Sequence, residues 1–427
     1  MPIFLLVIIY LSFISLGLPD ASLGVAWPVM YRDLGVSIGA AGVISFTVTV
    51  GTIISSLMSG HVLRRFGTGR VNFASTLLTG LAMVGFALSP SLTWILAFAI
   101  PLGLGAGSVD AGLNSYVALH YKAHHMNWLH SFWGVGATLG PVIMAQILAA
   151  TGVWQNGYWT VAVIQLTMAA VLFLTLPLWS RVESLRNDQN STQSQVQAAS
   201  DKVETASFDN IASPAEGMAA TESYLEATAD QPQIAERPPL HLVKTPGLAL
   251  ALLTFFLYCG AEISMGLWGS SFLVSVRGLT VQTAGILVSL YFGGIMAGRF
   301  LTGFLAFKWP TRNLIRLGLA ISLAGSILTL VAQSPLLIVP GFIMVGLGFA
   351  PVFPGMIHET PIRFGARDSQ VIIGYQMASA YAGSTLFPPV IGWLGANISL
   401  NILPPLILAV VLALFASTEY INRTCVR

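Results

Sequence analysis

The chain has 427 residues, 55% of them hydrophobic and 8% charged, with a net charge of +2. A soluble domain carries about a quarter charged residues, so a water-soluble globular protein is excluded, and no nucleic-acid partner is expected. The two cysteines, Cys259 and Cys425, form neither a disulfide framework nor a metal-ligand spacing.

A helix needs about 20 apolar residues to cross a bilayer. Such runs lie at 3–30, 38–63, 72–89, 92–118, 128–150, 158–179, 247–275, 281–305, 312–332, 335–357, 369–395 and 399–418. They are continuous and lack the alternation of barrel strands, so the fold class is an all-α membrane protein of twelve transmembrane helices. The first run has no basic n-region and exceeds a signal-peptide core, so it reads as a retained helix. Residues 181–243 hold ten of the seventeen acids, with many Gln, Ser and Ala. That composition cannot bury enough apolar surface to order itself, and a flexible tether is expected. The divisions are an N-terminal bundle over 1–180, a linker over 181–243, a C-terminal bundle over 244–420 and a tail over 421–427.

Sixteen of the nineteen Lys and Arg fall on one set of loops. Arg32 and Arg277 fall on the other, and Arg299 lies within a helix. Positive loops stay in the cytoplasm, which predicts a cell inner membrane protein with both termini and the linker cytoplasmic.

The two flanks repeat each other. A shift of 243 positions pairs Gly17 with Gly260, Gly35 with Gly278, Gly42 with Gly285, Gly51 with Gly294 and Gly60 with Gly303. It also pairs Gly103 with Gly346, Gly105 with Gly348, Gly140 with Gly383 and Arg65 with Lys308. Six spans per copy make the copies parallel. Parallel six-helix repeats are the architecture of the major facilitator superfamily, whose solutes bind at mid-depth between the halves.

Three acids interrupt apolar runs. Asp20 is otherwise alone among the charges from Met1 to Tyr31, Asp110 from Val71 to Tyr121, and Glu262 from Thr245 to Val276. A charge at bilayer depth is costly and marks an ion or solute path. Withdrawal from water disfavours the charged form of a carboxylate, which suits a proton carrier. Asp20 has a structural alternative, because Pro19 frees backbone that an acid could bond. Asp110 and Asn114 share a helix face, as do His130 and Trp133.

The second-to-third-helix loop, Gly60-His-Val-Leu-Arg-Arg-Phe-Gly-Thr-Gly-Arg70, resembles the superfamily's cytoplasmic loop motif through Gly60, Arg65, Gly67 and Arg70. Arg64 occupies the position where that motif carries an acid. The second copy, Gly298-Arg-Phe-Leu-Thr-Gly303, is looser, and Arg299 is expected to cap helix ends or pair with an acid near the cytoplasmic face. In the fourth and fifth helices, Gly103-Leu-Gly-Ala-Gly-Ser-Val-Asp110-Ala-Gly-Leu-Asn114 precedes Asn127-Trp-Leu-His130-Ser-Phe-Trp133-Gly-Val-Gly136. This pair resembles the fucose:proton symporter family, which includes glucose and mannose permeases. The resemblance implies that Asp110 is the helix-four carboxylate, with Asn114 its polar neighbour. His130 matches the polar position of helix five, and Asp20 lies near the proton-linked aspartate of helix one.

The expectation is therefore a secondary transporter, not an enzyme, with no cofactor or metal. It would act as a monomer in the lipid bilayer, with protons and a small-molecule solute as partners. Asp20, Asp110 and Glu262 would handle the proton. Asn114, His130, Trp133, Trp268, Tyr375 and Gln376 would bind or wall the solute, most simply a monosaccharide. Gly136-Ala-Thr-Leu-Gly140-Pro141 resembles the front of a motif of drug:proton antiporters, which keeps export of hydrophobic compounds as the alternative. A transport-dead sensor or scaffold is the third class. His120, His124 and His125 read as solvated loop residues.

Overall fold

The computed structural model describes residues 3–120, 123–179 and 245–424. The expected linker lies outside the described residues, as does Cys425. The described residues 3–175 and 245–424 form one compact unit. Among the described residues the structure is helical, with no strand.

The first half comprises α1 (Ile3–Asp20), α2 (Ser22–Asp33), α3 (Ala40–Phe66), α4 (Thr68–Ala87), α5 (Leu92–His120) and α6 (Ala123–Thr151). A further helix, α7 (Trp154–Trp179), completes it. The second half comprises α8 (Leu248–Ser275), α9 (Val281–Leu305), α10 (Thr311–Val331), α11 (Pro335–Phe349), α12 (Val352–Phe364), α13 (Ala366–Asn397) and α14 (Leu403–Thr424). Eleven helical segments are long and apolar enough to cross a membrane, with α1–α2 and α11–α12 each forming much of one. The segment missing from those eleven is α13, which has 32 residues and carries Gln370, Gln376 and several hydroxyl side chains. Its length spans the bilayer easily, so the segments number twelve among the described residues. The last helix runs to Thr424 and buries Ile421, so part of the expected tail is helical. Large apolar side chains such as Leu57, Leu174, Phe307 and Trp393 stand exposed, the kind of surface a bilayer covers.

The duplication is visible in the packing as well as in the sequence. The Cα of Gly103 lies against the Val48 carbonyl of α3, and that of Gly346 against the Tyr291 carbonyl of α9. Those two contacts are related by the same 243-residue shift. Gly105 meets Ser75 and Thr79, while Gly348 meets Gly318 and Ser322, again at that shift. A Cβ at any of these four glycines would collide with backbone or a neighbouring side chain. Gly35 and Gly278, also partners in the repeat, adopt φ of 65° and 67° in corresponding turns, a conformation that costs glycine little.

Between the halves, α2 packs on α8, α3 on α13 and α6 on α9. Gly24 meets Gly266, Gly42 meets Pro389, and Gly285 meets Ala145. All three junctions lie at the end opposite the basic loops and seal the seam there. Asp20 and His130, on the basic-loop side of this seal, are exposed.

Candidate functional site at the seam between the halves

Asp20 is the last residue of α1, where the first transmembrane segment breaks before α2. Pro19 cannot donate to the Ser15 carbonyl one turn earlier. That carbonyl is taken by Gln165 Nε2 at 2.6 Å, while Ser15 Oγ donates to Gln165 Oε1 at 2.9 Å. The backbone freed by Pro19 thus has its partner in α7, and Asp20 is left to face the seam.

There Asp20 Oδ2 accepts a hydrogen bond from Trp133 Nε1 at 2.8 Å. The Arg299 guanidinium sits over the Trp133 ring, 5.7 Å from its centroid. Arg299 Nη2 in turn reaches Glu262 Oε1 at 3.4 Å. These contacts make one chain of groups, Asp20–Trp133–Arg299–Glu262, that begins on α1 and α6 and ends on α9 and α8. The Phe292 ring meets Trp133 edge-on at 6.5 Å, and Tyr291 donates to the Glu262 carbonyl at 3.2 Å. The Tyr258 hydroxyl lies beside Glu262 and Arg299 without a hydrogen bond of ordinary geometry.

Asp110 is half-buried on α5 and accepts from Asn114 Nδ2 at 2.9 Å. It is close enough to Asp20, and to Tyr381 of α13, to act on both through space. Tyr381 is linked to Ser56 of α3, and Ser55 is hydrogen-bonded to Ser108 of α5. The Tyr381 hydroxyl thus lies near Asp110, while the Ser55–Ser108 pair ties α3 to α5. His130 is exposed, presents its ring edgewise to Phe13 at 5.9 Å and feels the charge of Arg299.

Several expected positions are placed differently. Trp268 is fully buried, with Nε1 donating to the Pro388 carbonyl at 2.9 Å. It wedges α8 against α13 and presents no face to a solute in this conformation. Gln376 is buried and accepts from Thr360 Oγ1 at 3.0 Å, tying α13 to α12. Tyr375 is half-buried on α13. Arg299 lies within α9, towards its end at Leu305, and pairs with an acid, Glu262, that stands in the middle of α8 and not near the membrane face. Gly60 and Arg65 lie in the last turns of α3 and Arg70 in the first turn of α4, and Gly67 alone joins the two helices, at φ 80°. Arg65 lies over Phe66, 5.6 Å from the ring centroid, and among the described residues no acid pairs with Arg64, Arg65 or Arg70. His125 is not solvated: it is half-buried, joined to the Tyr10 hydroxyl at 2.8 Å, and edge-on to Trp128. The side chains of His120 and His124 lie outside the described residues.

The sequence pattern of the Major Facilitator Superfamily matches residues 9–367 and 250–421. The chain belongs to that superfamily. Among its relatives, the glucose/mannose transporter GlcP of Bacillus subtilis is 21% identical over 386 residues, covering 90% of this chain and 86% of that protein. Bypass of stop codon protein 6 of Saccharomyces cerevisiae is 23% identical over 305 residues, but the match spans only 55% of its length. The 4-hydroxybenzoate transporter PcaK of Pseudomonas aeruginosa is 27% identical over 186 residues, 43% of this chain and 41% of that one. The chain thus spans about half or less of some curated relatives that it matches. Among solved structures, the nucleoside transporter NupG superimposes with a TM-score of 0.69 at 13% identity, covering 97% of this chain and 98% of that one. A peptide transporter, POT, gives 0.69 at 15% identity with 99% and 96% covered. At those identities the likeness concerns the fold. The chain is a member of the superfamily, with many helices long and apolar enough to cross a membrane.

Proposed function

We propose that the protein is a proton-coupled symporter of a small neutral polar solute, a monosaccharide being the best candidate. The observation that carries this reading is the contact chain from Asp20 to Glu262 across the seam. It sits beyond a seal at one end, with Asp20 exposed on the other side. In the alternating-access cycle a site between the halves opens to one face at a time, and this conformation is open toward the basic loops. By the charge rule that side is the cytoplasm, with both termini on it, in a plasma or inner membrane. The protein would work as a monomer.

Charge supports a neutral solute. Asp20, Asp110 and Glu262 together outweigh the single guanidinium of Arg299. When Asp20 and Asp110 are protonated, Arg299 and Glu262 still cancel. A solute carrying a carboxylate, the class named for PcaK, would bring surplus negative charge into the site. Hydroxyl groups fit better: Glu262 and Asp110 accept from them, and Arg299 and Asn114 donate. The likeness to GlcP along most of both chains points the same way.

Export of hydrophobic compounds is favoured by one stretch, Gly136 to Pro141, and by 26% identity over 139 residues to the quinolone resistance protein NorB of Staphylococcus aureus. Gly136 and Gly140 sit against the carbonyls of Ile14 and Leu18 of α1. Close helix packing accounts for both glycines, as small residues at such spacing allow.

The test is uptake into proteoliposomes under a proton gradient, with sugars, aromatic carboxylates and lipophilic cations as probes. Asp110→Asn should abolish uphill sugar uptake and spare exchange down a gradient. Unchanged uphill uptake in that variant would sink the proposal, and proton-driven movement of the lipophilic cations alone would establish the exporter.

A further inference from the structure

We infer that Trp133 is a positioning residue that keeps the Asp20 carboxylate and the Arg299 guanidinium from forming an ion pair across the seam. The inference rests on the proton-symport reading above, and concerns how Asp20 stays free to take and release a proton.

The indole is the group that touches both. Its Nε1 edge donates to Asp20 at 2.8 Å, and its face carries Arg299 at 5.7 Å. Phe292 braces the ring from the second half. Arg299 has five N–H donors, yet among the described residues it pairs with an acid through a single 3.4 Å contact to Glu262, with the Tyr258 hydroxyl beside it. A guanidinium held this loosely, on a long flexible side chain, would reach for a second carboxylate if the ring were absent. The consequences would be twofold. A cation within about 4–6 Å holds a carboxylate in its charged form over one to three further pH units. A direct Asp20–Arg299 pair would also join α1 to α9 and oppose separation of the halves. The charged and titratable groups facing this pair are Asp110 on α5, His130 on α6, Tyr258, Cys259 and Glu262 on α8, and Tyr291 on α9, with Tyr381 of α13 facing Asp110. None of them is interposed between Asp20 and Arg299 by a contact to both.

The test needs no solute. Infrared difference spectra of the purified protein in lipid nanodiscs, recorded across pH, report protonation of Asp20 as the carboxylic C=O band that Asp20→Asn removes. In Trp133→Leu the midpoint should fall by about one to three pH units, and Trp133→Leu/Arg299→Gln should return it to within half a unit of the parent. Trp133→Phe keeps the ring and loses the donor, so its midpoint should rise, because a hydrogen bond to the charged form is lost. A purely structural Trp133 would move the Leu and Phe variants in the same direction, and that outcome overturns the inference. So does a Leu shift that Arg299→Gln fails to reverse. Should Trp133→Leu not fold, Arg299→Gln alone serves. With the parent ring in place it should move the midpoint by less than half a unit, and a larger fall or rise overturns the inference. A parent band that fails to titrate at all refutes the proton-carrier reading itself.

Discussion

Removing the Glu262 carboxylate should expose how much of the site's stability lies in the Arg299 pair. Breaking a fully buried pair by deleting one partner costs about 3–5 kcal/mol, because a charge is left unpaired. A surface pair is worth about 0–1 kcal/mol. The side chains of Arg299 and Glu262 are 17% and 9% exposed, and they meet through one contact of 3.4 Å instead of a bidentate fork. The geometry therefore lies between the two limits and nearer the lower one. Arg299 also keeps the Trp133 face, a cation–π contact worth about 0.5–2 kcal/mol. We expect Glu262→Gln to cost about 2 kcal/mol, and a double-mutant cycle with Arg299→Gln to give a coupling of about 1–2 kcal/mol. The assay is unfolding titrated with sodium dodecyl sulfate in mixed micelles and followed by tryptophan fluorescence, on the parent, both single variants and the double variant. Losses that add to within about 0.5 kcal/mol would refute the coupling and leave the two residues as independent neighbours.

Three further outcomes are expected. Solute affinity should weaken as pH rises through the titration of the carrier carboxylate, because the protonated site is the one that binds. Asp110→Asn should flatten that profile, and an equally steep profile in Asp110→Asn would transfer the proton role to Asp20 or Glu262. Glu359, buried on α12, accepts from Arg312 at 2.7 Å and lies 3.7 Å from Arg363, whose side chain is almost wholly buried. Glu359→Gln should therefore destabilise the protein by about 3 kcal/mol without shifting the pH profile, and a stable variant in the same unfolding assay would show that other partners, such as Asn422, which accepts from Arg363 at 2.8 Å, suffice for the buried guanidinium. In a background lacking Cys259 and Cys425, cysteines replacing Arg64 and Arg312 should react with impermeant reagents only from the cytoplasmic side. A cysteine replacing Arg277 should react only from outside, and labelling of position 312 from outside would invert the proposed topology.

What was legible in the sequence follows from the solvent. In a bilayer segment an acid stands out against its neighbours, so Asp20, Asp110 and Glu262 announced themselves. The repeat was legible because glycines at helix crossings cannot be replaced without collision, and the pairs Gly103/Gly346 and Gly105/Gly348 make corresponding contacts. Facing was not legible. A helix that is apolar all round carries no stripe to mark its inner side. Trp268 and Gln376 were thus read by chemical type, while the structure commits them to Pro388 and Thr360.

The depth of Arg299 is legible from the repeat. Read locally, Gly298-Arg299 belongs to the loose second copy of the loop motif. The shift of 243 residues that sets Lys308 on Arg65 sets Arg299 on Ser56, nine positions before the basic end of the loop motif. At 1.5 Å per residue that is about 13 Å of helix, enough to carry a side chain from the membrane face well into the interior. Ser56 itself faces the other half, where it meets Tyr381. The corresponding position in the second copy should then face the first half, which is where Arg299 lies, over Trp133. An arginine set where its counterpart is a serine makes the two halves electrically unlike at their seam. The first half brings Asp20 and Asp110, and the second brings Arg299 already matched to Glu262. In the proposed symport, a proton taken up by Asp20 or Asp110 would change the charge that the second half faces, and the asymmetry between two copies of one fold would let that proton bias the rocking of one against the other.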